Sequence, residues 1–200
     1  MSGTAPKRSR GMAGQVTVMF ALMLIVLVAI VGFAVDLGGA WGMRTRFDGI
    51  LESTEQSCMA QANAVKFSNK PGVTARMEVL ELLQRNGFTG KVTVWYTEAP
   101  ESATGAADRW GGVKVRLQGK WGTAFLSVLG TSELPVTSTS IWTYHPYSTN
   151  EVYRPADTAD GWDSATLIDG VIQDQTHGSL TYETAPDELV DAVEEAMGAA

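Results

Sequence analysis

The chain has 200 residues, of which 44% are hydrophobic, and this size suits one modest domain with extensions rather than two large domains. Its net charge of −7 is uneven, because residues 1–147 carry 14 basic against 10 acidic side chains and residues 148–200 carry one against 12. One cysteine and two histidines exclude an internal disulfide and a cysteine-rich zinc site, so no metal or cofactor is expected, and the few, dispersed basic residues argue against nucleic acid as a partner.

The first predicted element is a helix that spans a membrane. Residues 1–15 are polar and basic, and residues 16–35, which follow them, contain no charged side chain. An α-helix of this length rises about 30 Å, which is the thickness of the hydrocarbon core of a bilayer. The sequence therefore predicts a transmembrane helix at residues 16–35, in contact with membrane lipid. Its anchoring side chains are Val16, Phe20, Leu24, Leu27, Val31 and Val35.

The basic residues Lys7, Arg8 and Arg10 set the predicted orientation of this helix. Since basic residues are enriched on the cytoplasmic side, we expect the N-terminus inside and the C-terminal domain outside, in a single-pass protein of the cytoplasmic membrane. A cleaved secretory signal that ends near Ala40 is the alternative. The apolar run exceeds the roughly 7–15 residues usual for a signal peptide, and this favours the anchor.

A long helix is predicted to continue beyond the membrane span. After Asp36 the apolar residues recur in steps of three or four, and no proline interrupts the chain before Pro71. One helix, or two nearly collinear ones, is therefore expected from about residue 15 to residue 67. Gly38, Gly39 and Gly42 bend this helix where it leaves the membrane, or alternatively Gly38 and Gly42 allow close packing with a second helix. The latter interpretation leaves open a homo-oligomer formed through the long helix.

Residues 36–147 predict a small α+β domain outside the membrane. After Pro71, residues 73–85 form an amphipathic helix. Three segments alternate between apolar and polar residues or are rich in β-branched residues, as strands are: residues 91–97, 113–120 and 134–144. Residues 123–129 predict a short apolar turn of helix that is closed by Gly130. The expected architecture is a small antiparallel sheet of about three strands with the helices packed on one face.

Residues 148–200 are expected to form an acidic, partly irregular tail that packs weakly on the domain or not at all. Their short apolar pieces, at residues 166–172 and 179–182, predict at most a weak hairpin. Residues 187–197 predict a short helix, because acidic side chains in a first turn favour its positive N-terminal end.

Short motifs at several places in the chain point to one family. Residues 10–22 (RGMAGQVTVMFAL) and 32–36 (GFAVD) frame the apolar helix, and residues 125–130 (FLSVLG) and 134–140 (LPVTSTS) follow the second predicted strand. In this order and spacing they resemble the TadE/TadG family, pseudopilin-like membrane proteins of tight-adherence (Flp type IVb) pilus assembly. The resemblance covers roughly residues 10–145. It implies a structural or accessory role in pilus assembly, cell adhesion or secretion, with other pilus-assembly or pseudopilin proteins as partners.

The resemblance also bears on processing of the N-terminus. In processed pseudopilins a prepilin peptidase cuts after a glycine, and a glutamate stands at the fifth position after the cut. If Gly14 is the equivalent glycine, Gln15 becomes the first residue and Met19 occupies the glutamate position. Gly14 and Gln15 are therefore the candidate processing residues, but the missing glutamate favours an uncleaved, anchored accessory protein.

Catalytic patterns are missing from the sequence, which contains no HExxH, P-loop, Gly-x-Ser-x-Gly or dinucleotide fingerprint, so an enzyme is not expected. Cys58 falls on the inner face of the long helix, which favours a small apolar role, with an intermolecular disulfide as the alternative. Asp157, Asp160 and Asp163 stand three apart, whereas the ligands of a calcium loop alternate, so a solvated acidic loop is the simpler interpretation.

The predicted function is that of a non-catalytic, membrane-anchored structural or accessory component of a TadE/TadG-like pilus-assembly or secretion apparatus. The alternative is a membrane-anchored surface module that presents the acidic tail to cations, the cell wall or a host surface. The alternative predicts that deletion of residues 148–200 abolishes binding without abolishing assembly.

Overall fold

The computed structural model describes residues 11–100, 110–144 and 158–199. These residues form two compact units, each assembled from separate stretches of the chain. The first unit comprises the chain up to Trp41 together with Trp121–Leu134, and the second comprises Gly42–Lys120 together with Pro135–Ala200.

The helices follow the predicted order with small differences in their bounds. They are α1 (Gly11–Ala60), α2 (Ala62–Lys66), α3 (Pro71–Arg85) and α4 (Asp187–Ala199). Helix α3 begins two residues earlier than predicted, with proline in its first turn, where the missing N–H would have no partner within the helix. The long helix of the prediction is confirmed as α1, and the short α2 follows it after Gln61.

A five-stranded sheet replaces the predicted sheet of about three strands. Its strands are β1 (Gly90–Glu98), β2 (Gly111–Gly122), β3 (Glu133–Tyr144), β4 (Gly161–Ile168) and β5 (Val171–Ser179). Their order in the sheet is β3-β2-β1-β4-β5, and β1 pairs antiparallel with both β2 and β4. The three predicted strands are confirmed as β1, β2 and β3, whereas β4 and β5 come from the segment predicted to be an irregular tail.

The prediction of a weakly packed tail was wrong for the described residues 158–199. On β4, the alternate positions that are buried hold Gly161, Asp163, Ala165 and Leu167. Three of these four residues are small or charged. The strand therefore lacks the alternation of apolar and polar residues that indicates a half-buried strand. Two residues, Asp169 and Gly170, connect β4 to β5, and both adopt positive φ angles, 49° and 76°. Such an Asp-Gly pair is typical of a tight hairpin turn and is the signal in the sequence that predicts one.

The helices cover both faces of the sheet, which corrects the expected packing on one face. Along β2, Val113, Val115 and Leu117 are buried, and Gly119 on the same face contacts Phe47 of α1. Gly112 lies on the opposite face, where its backbone contacts Leu189 and Val193 of α4. Since Leu189 and Val193 are fully buried, α4 is part of the core of the second unit.

Candidate functional site: the apolar helix and its loop

The predicted membrane anchor lies in α1 with its side chains uncovered. Its six anchoring residues, from Val16 to Val35, are each 52–66% exposed. Among the described residues, one helix is long and apolar enough to cross a membrane, with a mean hydropathy of 3.1 over its most apolar window. A helix that is apolar on all sides and not covered by protein suits a lipid surrounding. Lys7, Arg8 and Arg10, which carry the predicted orientation, lie outside the described residues.

Asp36, directly after the apolar run, is 2% exposed in this structure. Its carboxylate accepts hydrogen bonds from the backbone N–H groups of Ala124, Phe125 and Leu126, at 2.9, 2.9 and 2.7 Å. These three amides open a short 3₁₀ turn at Leu126–Leu129, where they have no partner within the turn itself. The negative charge of Asp36 thus holds the loop Trp121–Leu134, which we call the anchor loop, against α1.

Two glycines on the same face of α1 allow the anchor loop to approach closely. Gly32 and Gly39 lie one turn to either side of Asp36. A Cβ atom at Gly32 would stand 2.4 Å from the ring of Phe125, and one at Gly39 would stand 2.2 Å from the ring of Trp121. Both separations are far below a normal contact, so a larger residue at either position would displace an aromatic side chain.

The same stretch of α1 lies in the part of the chain that matches a known protein family. Residues 14–51 match the family of putative Flp pilus-assembly TadE/G-like proteins. This match confirms the resemblance drawn from the sequence, and it includes the apolar run and Asp36. The matched segment leaves out the anchor loop, the sheet and α4. No curated protein and no solved structure matches the chain.

Within the TadE/G-like segment, the candidate processing residues Gly14 and Gln15 belong to α1. Met19, the fifth residue after the candidate cleavage position, has an exposed side chain among the apolar residues. The structure therefore places the candidate cleavage position within the helix, next to the apolar run. Cleavage itself stays a prediction.

Of the three glycines that sequence analysis singled out, Gly39 packs against Trp121 of the anchor loop, whereas Gly38 and Gly42 do not contact the loop. Gly38 and Gly42 have open space where a side chain would extend, so neither packs against another part of the described chain. Their surface remains accessible to a second helix, and the homo-oligomer through the TadE/G-like helix stays a prediction. The partner of Asp36 was missed, because nothing local in the sequence links it to an apolar turn some 90 residues later.

Cys58, beyond the TadE/G-like segment, is half-buried in the second unit. Burial, and then the nearby carboxylates of Glu78 and Glu55, raise the pKa of its thiol to about 12. The thiol is therefore protonated at neutral pH, which is the opposite of what a nucleophile needs. Its predicted structural role agrees with this environment.

The acidic residues considered as a calcium loop have structural partners where the structure describes them. Asp163 is buried and accepts a hydrogen bond of 2.5 Å from Nε of Arg76, which also donates to the carbonyl of Ala159. Asp160 accepts from the Thr97 hydroxyl and the Glu98 amide. Asp157 lies outside the described residues, among which no group of three metal-ligating side chains occurs.

Proposed function

We propose that this protein is a non-catalytic, membrane-anchored accessory or structural component of a TadE/G-like pilus-assembly or secretion apparatus. The observation that carries the proposal is a coincidence of two findings on one segment. Residues 14–51 match the TadE/G-like family, and the same residues contain the uncovered apolar helix. Because the residues that match the family also form the proposed membrane anchor, they fit a protein that takes part in the assembly while it is held in the membrane.

The proposed topology has one membrane span. Residues 1–15 lie in the cytoplasm, residues 16–35 cross the cytoplasmic membrane, and the second unit lies outside. The basic residues before the apolar run support this orientation. Because Met19 replaces the glutamate of processed pseudopilins, the proposed protein keeps its residues 1–14 and acts beside the filament rather than as a processed subunit.

The proposed partners are other pilus-assembly or pseudopilin proteins, reached through the TadE/G-like helix. The open surface at Gly38 and Gly42 is suited to close contact with another helix, from a second copy or from a pseudopilin. Both glycines come after the hydrophobic run, so such a contact would form near the outer face of the cytoplasmic membrane.

The test is co-purification from detergent-solubilised membranes of a strain that carries the pilus system. We expect crosslinking of the tagged protein to recover pilus-assembly components. In the control variant, Gly38→Leu combined with Gly42→Leu fills the open helix surface and leaves the apolar run at residues 16–35 unchanged, so the protein stays in the membrane. The control should lose most of the recovered partners. Recovery of the native protein as a free soluble monomer in the medium would contradict the proposal.

The alternative function, presentation of the acidic tail to cations, cell wall or host surface, needs a different experiment from the deletion of residues 148–200. Strand β4 lies between β1 and β5, and α4 is buried on the sheet, so this deletion would unfold the second unit. Replacement of exposed acidic residues of α4, such as Glu195, by glutamine keeps the fold and removes the charge. Loss of cation or surface binding with assembly intact would support the alternative.

A further inference from the structure

The anchor loop ends in an apolar tip that no part of the described chain covers. Val128 is 86% exposed and Leu129 is 78% exposed, and Phe125 beside them is also exposed. The loop carries no charged side chain until Glu133. Two adjacent aliphatic residues with this exposure are unusual on a surface that faces water.

The contacts of the anchor loop fix its level along α1. The ring of Phe125 lies against Gly32, which is three residues before the end of the apolar run at Val35. At ~1.5 Å per residue, Phe125 therefore stands roughly 4–5 Å inside the apolar length of the helix. Trp121 lies against Gly39, beyond the end of that run. The loop thus reaches from the polar side of the boundary to the apolar side.

Several backbone amides of the anchor loop are hydrogen-bonded to Asp36 or within the loop itself. The amides of residues 124–126 donate to Asp36. Thr123 donates to the carbonyl of Ser132 at 2.9 Å, and Thr131 donates to that of Leu126 at 3.0 Å. An unsatisfied backbone group in hydrocarbon costs several kcal/mol, so these bonds lower the cost of bringing the loop towards the acyl chains.

We propose that the anchor loop is a second membrane contact, which inserts Val128 and Leu129 into the outer leaflet beside the transmembrane helix. The proposal rests on the membrane span of the proposed function. Lipid is the occupant because Phe125 lies at a level where the helix itself faces lipid. Trp121, 37% exposed at the other end of the loop, suits the headgroup region, where tryptophan is enriched. Asp36 orients the tip by holding the base of the 3₁₀ turn.

The test measures the depth of single labelled positions in full-length protein reconstituted in phospholipid vesicles. In a Cys58→Ala background, Val128→Cys and Leu129→Cys carry an environment-sensitive fluorophore, and the lipid carries a quenching nitroxide in the upper acyl chain. The matched control is Val171→Cys, an equally apolar position that is 59% exposed in the second unit. We expect both loop labels to lose roughly half or more of their emission and the control label to keep its emission.

Three results would overturn the proposal, and they separate it from the proposed function. If the protein stays in vesicles but the loop labels are quenched no more than the control, the anchor stands and the loop contact falls. If the protein does not enter vesicles at all, the span fails, and the loop contact fails with it. If the loop labels become shielded only when pilus-assembly proteins are added, a protein and not lipid covers the tip.

Discussion

In the first unit the apolar side chains face outward, whereas in the second unit they fill a core. Between residues 15 and 38 of α1, the two buried residues are Gly32 and Asp36, a residue without a side chain and a charged one. Farther along the same helix, the buried residues are Phe47, Leu51 and Thr54, spaced as on one face of an amphipathic helix. One continuous helix thus carries two patterns. The sheet covers the second part, and the uncovered apolar surface of the first part is what the proposed membrane span requires.

The largest effect is expected when charged residues are introduced into the exposed apolar part of α1. Leu24→Arg combined with Leu27→Arg should make membrane insertion less favourable by roughly 5–7 kcal/mol, because each arginine near the centre of a span costs about 2.5–3.5 kcal/mol. We expect the variant to leave the membrane pellet on fractionation. Met77→Arg, at an exposed position of α3, is the control and should remain in the pellet.

The next largest effect should come from the buried ion pair of the second unit. Arg76→Met leaves the carboxylate of Asp163 buried without a compensating positive charge, which should lower the free energy of unfolding by about 3–5 kcal/mol. Urea unfolding followed by tryptophan fluorescence measures the loss. Arg85→Met removes the exposed pair with Glu81 and should cost about 0.5 kcal/mol or less. Equal losses in the two variants would show that the Arg76 pair is not buried in solution.

A smaller effect tests whether α4 belongs to the core. Leu189→Ala should destabilise the second unit by about 2–4 kcal/mol, since Leu189 is fully buried against Gly112. The same urea titration gives the number. Glu195→Ala, on the exposed side of α4, should change stability by no more than about 0.5 kcal/mol. If Leu189→Ala is as mild as its control, the last segment is a detached tail after all.

The smallest effect is a dependence on pH at the edge of the same helix. The hydrogen bond from Lys114, and then its charge, lower the pKa of Glu188 below its usual 4.5. A lowered folded-state pKa means that the stabilisation is complete above about pH 4.5 and is lost as the pH falls through the folded-state pKa. Glu188→Gln should therefore be slightly less stable than the native chain at pH 7 and no less stable at pH 3. A constant difference at both values would exclude the Lys114 contact.

The sequence predicted correctly those helices and strands whose apolar residues recur with a regular period. In α1 beyond the apolar run, apolar residues recur every three or four positions, and in β1 apolar and polar residues alternate. The positions of both elements were therefore predicted. Strand β4 was missed because its buried face includes Asp163, whose charge is satisfied by Arg76, a residue 87 positions away in the chain. The sequence predicted a weak hairpin at residues 166–172 and 179–182, whereas the strong turn signal Asp169-Gly170 places the turn directly after β4.

The candidate site shows the same limit. The apolar helix could be predicted from composition alone, because about 20 consecutive residues without a charge are long enough to cross a bilayer. The anchor loop could not, because its attachment depends on three backbone amides and one carboxylate that are distant in sequence. From the sequence, Asp36 is predicted only to end the membrane span. Its hydrogen bonds to the anchor loop are seen only in the three-dimensional structure.

The most direct test of the central claim is the intact mass of the protein extracted from the membrane fraction. An uncleaved, anchored accessory protein predicts a membrane-bound species that still contains residues 1–14. A membrane species that begins at Gln15 would establish prepilin-type processing. A soluble species that begins at Trp41 would show that the apolar helix is a secretion signal. Either shortened species would contradict the account of α1 as a retained anchor.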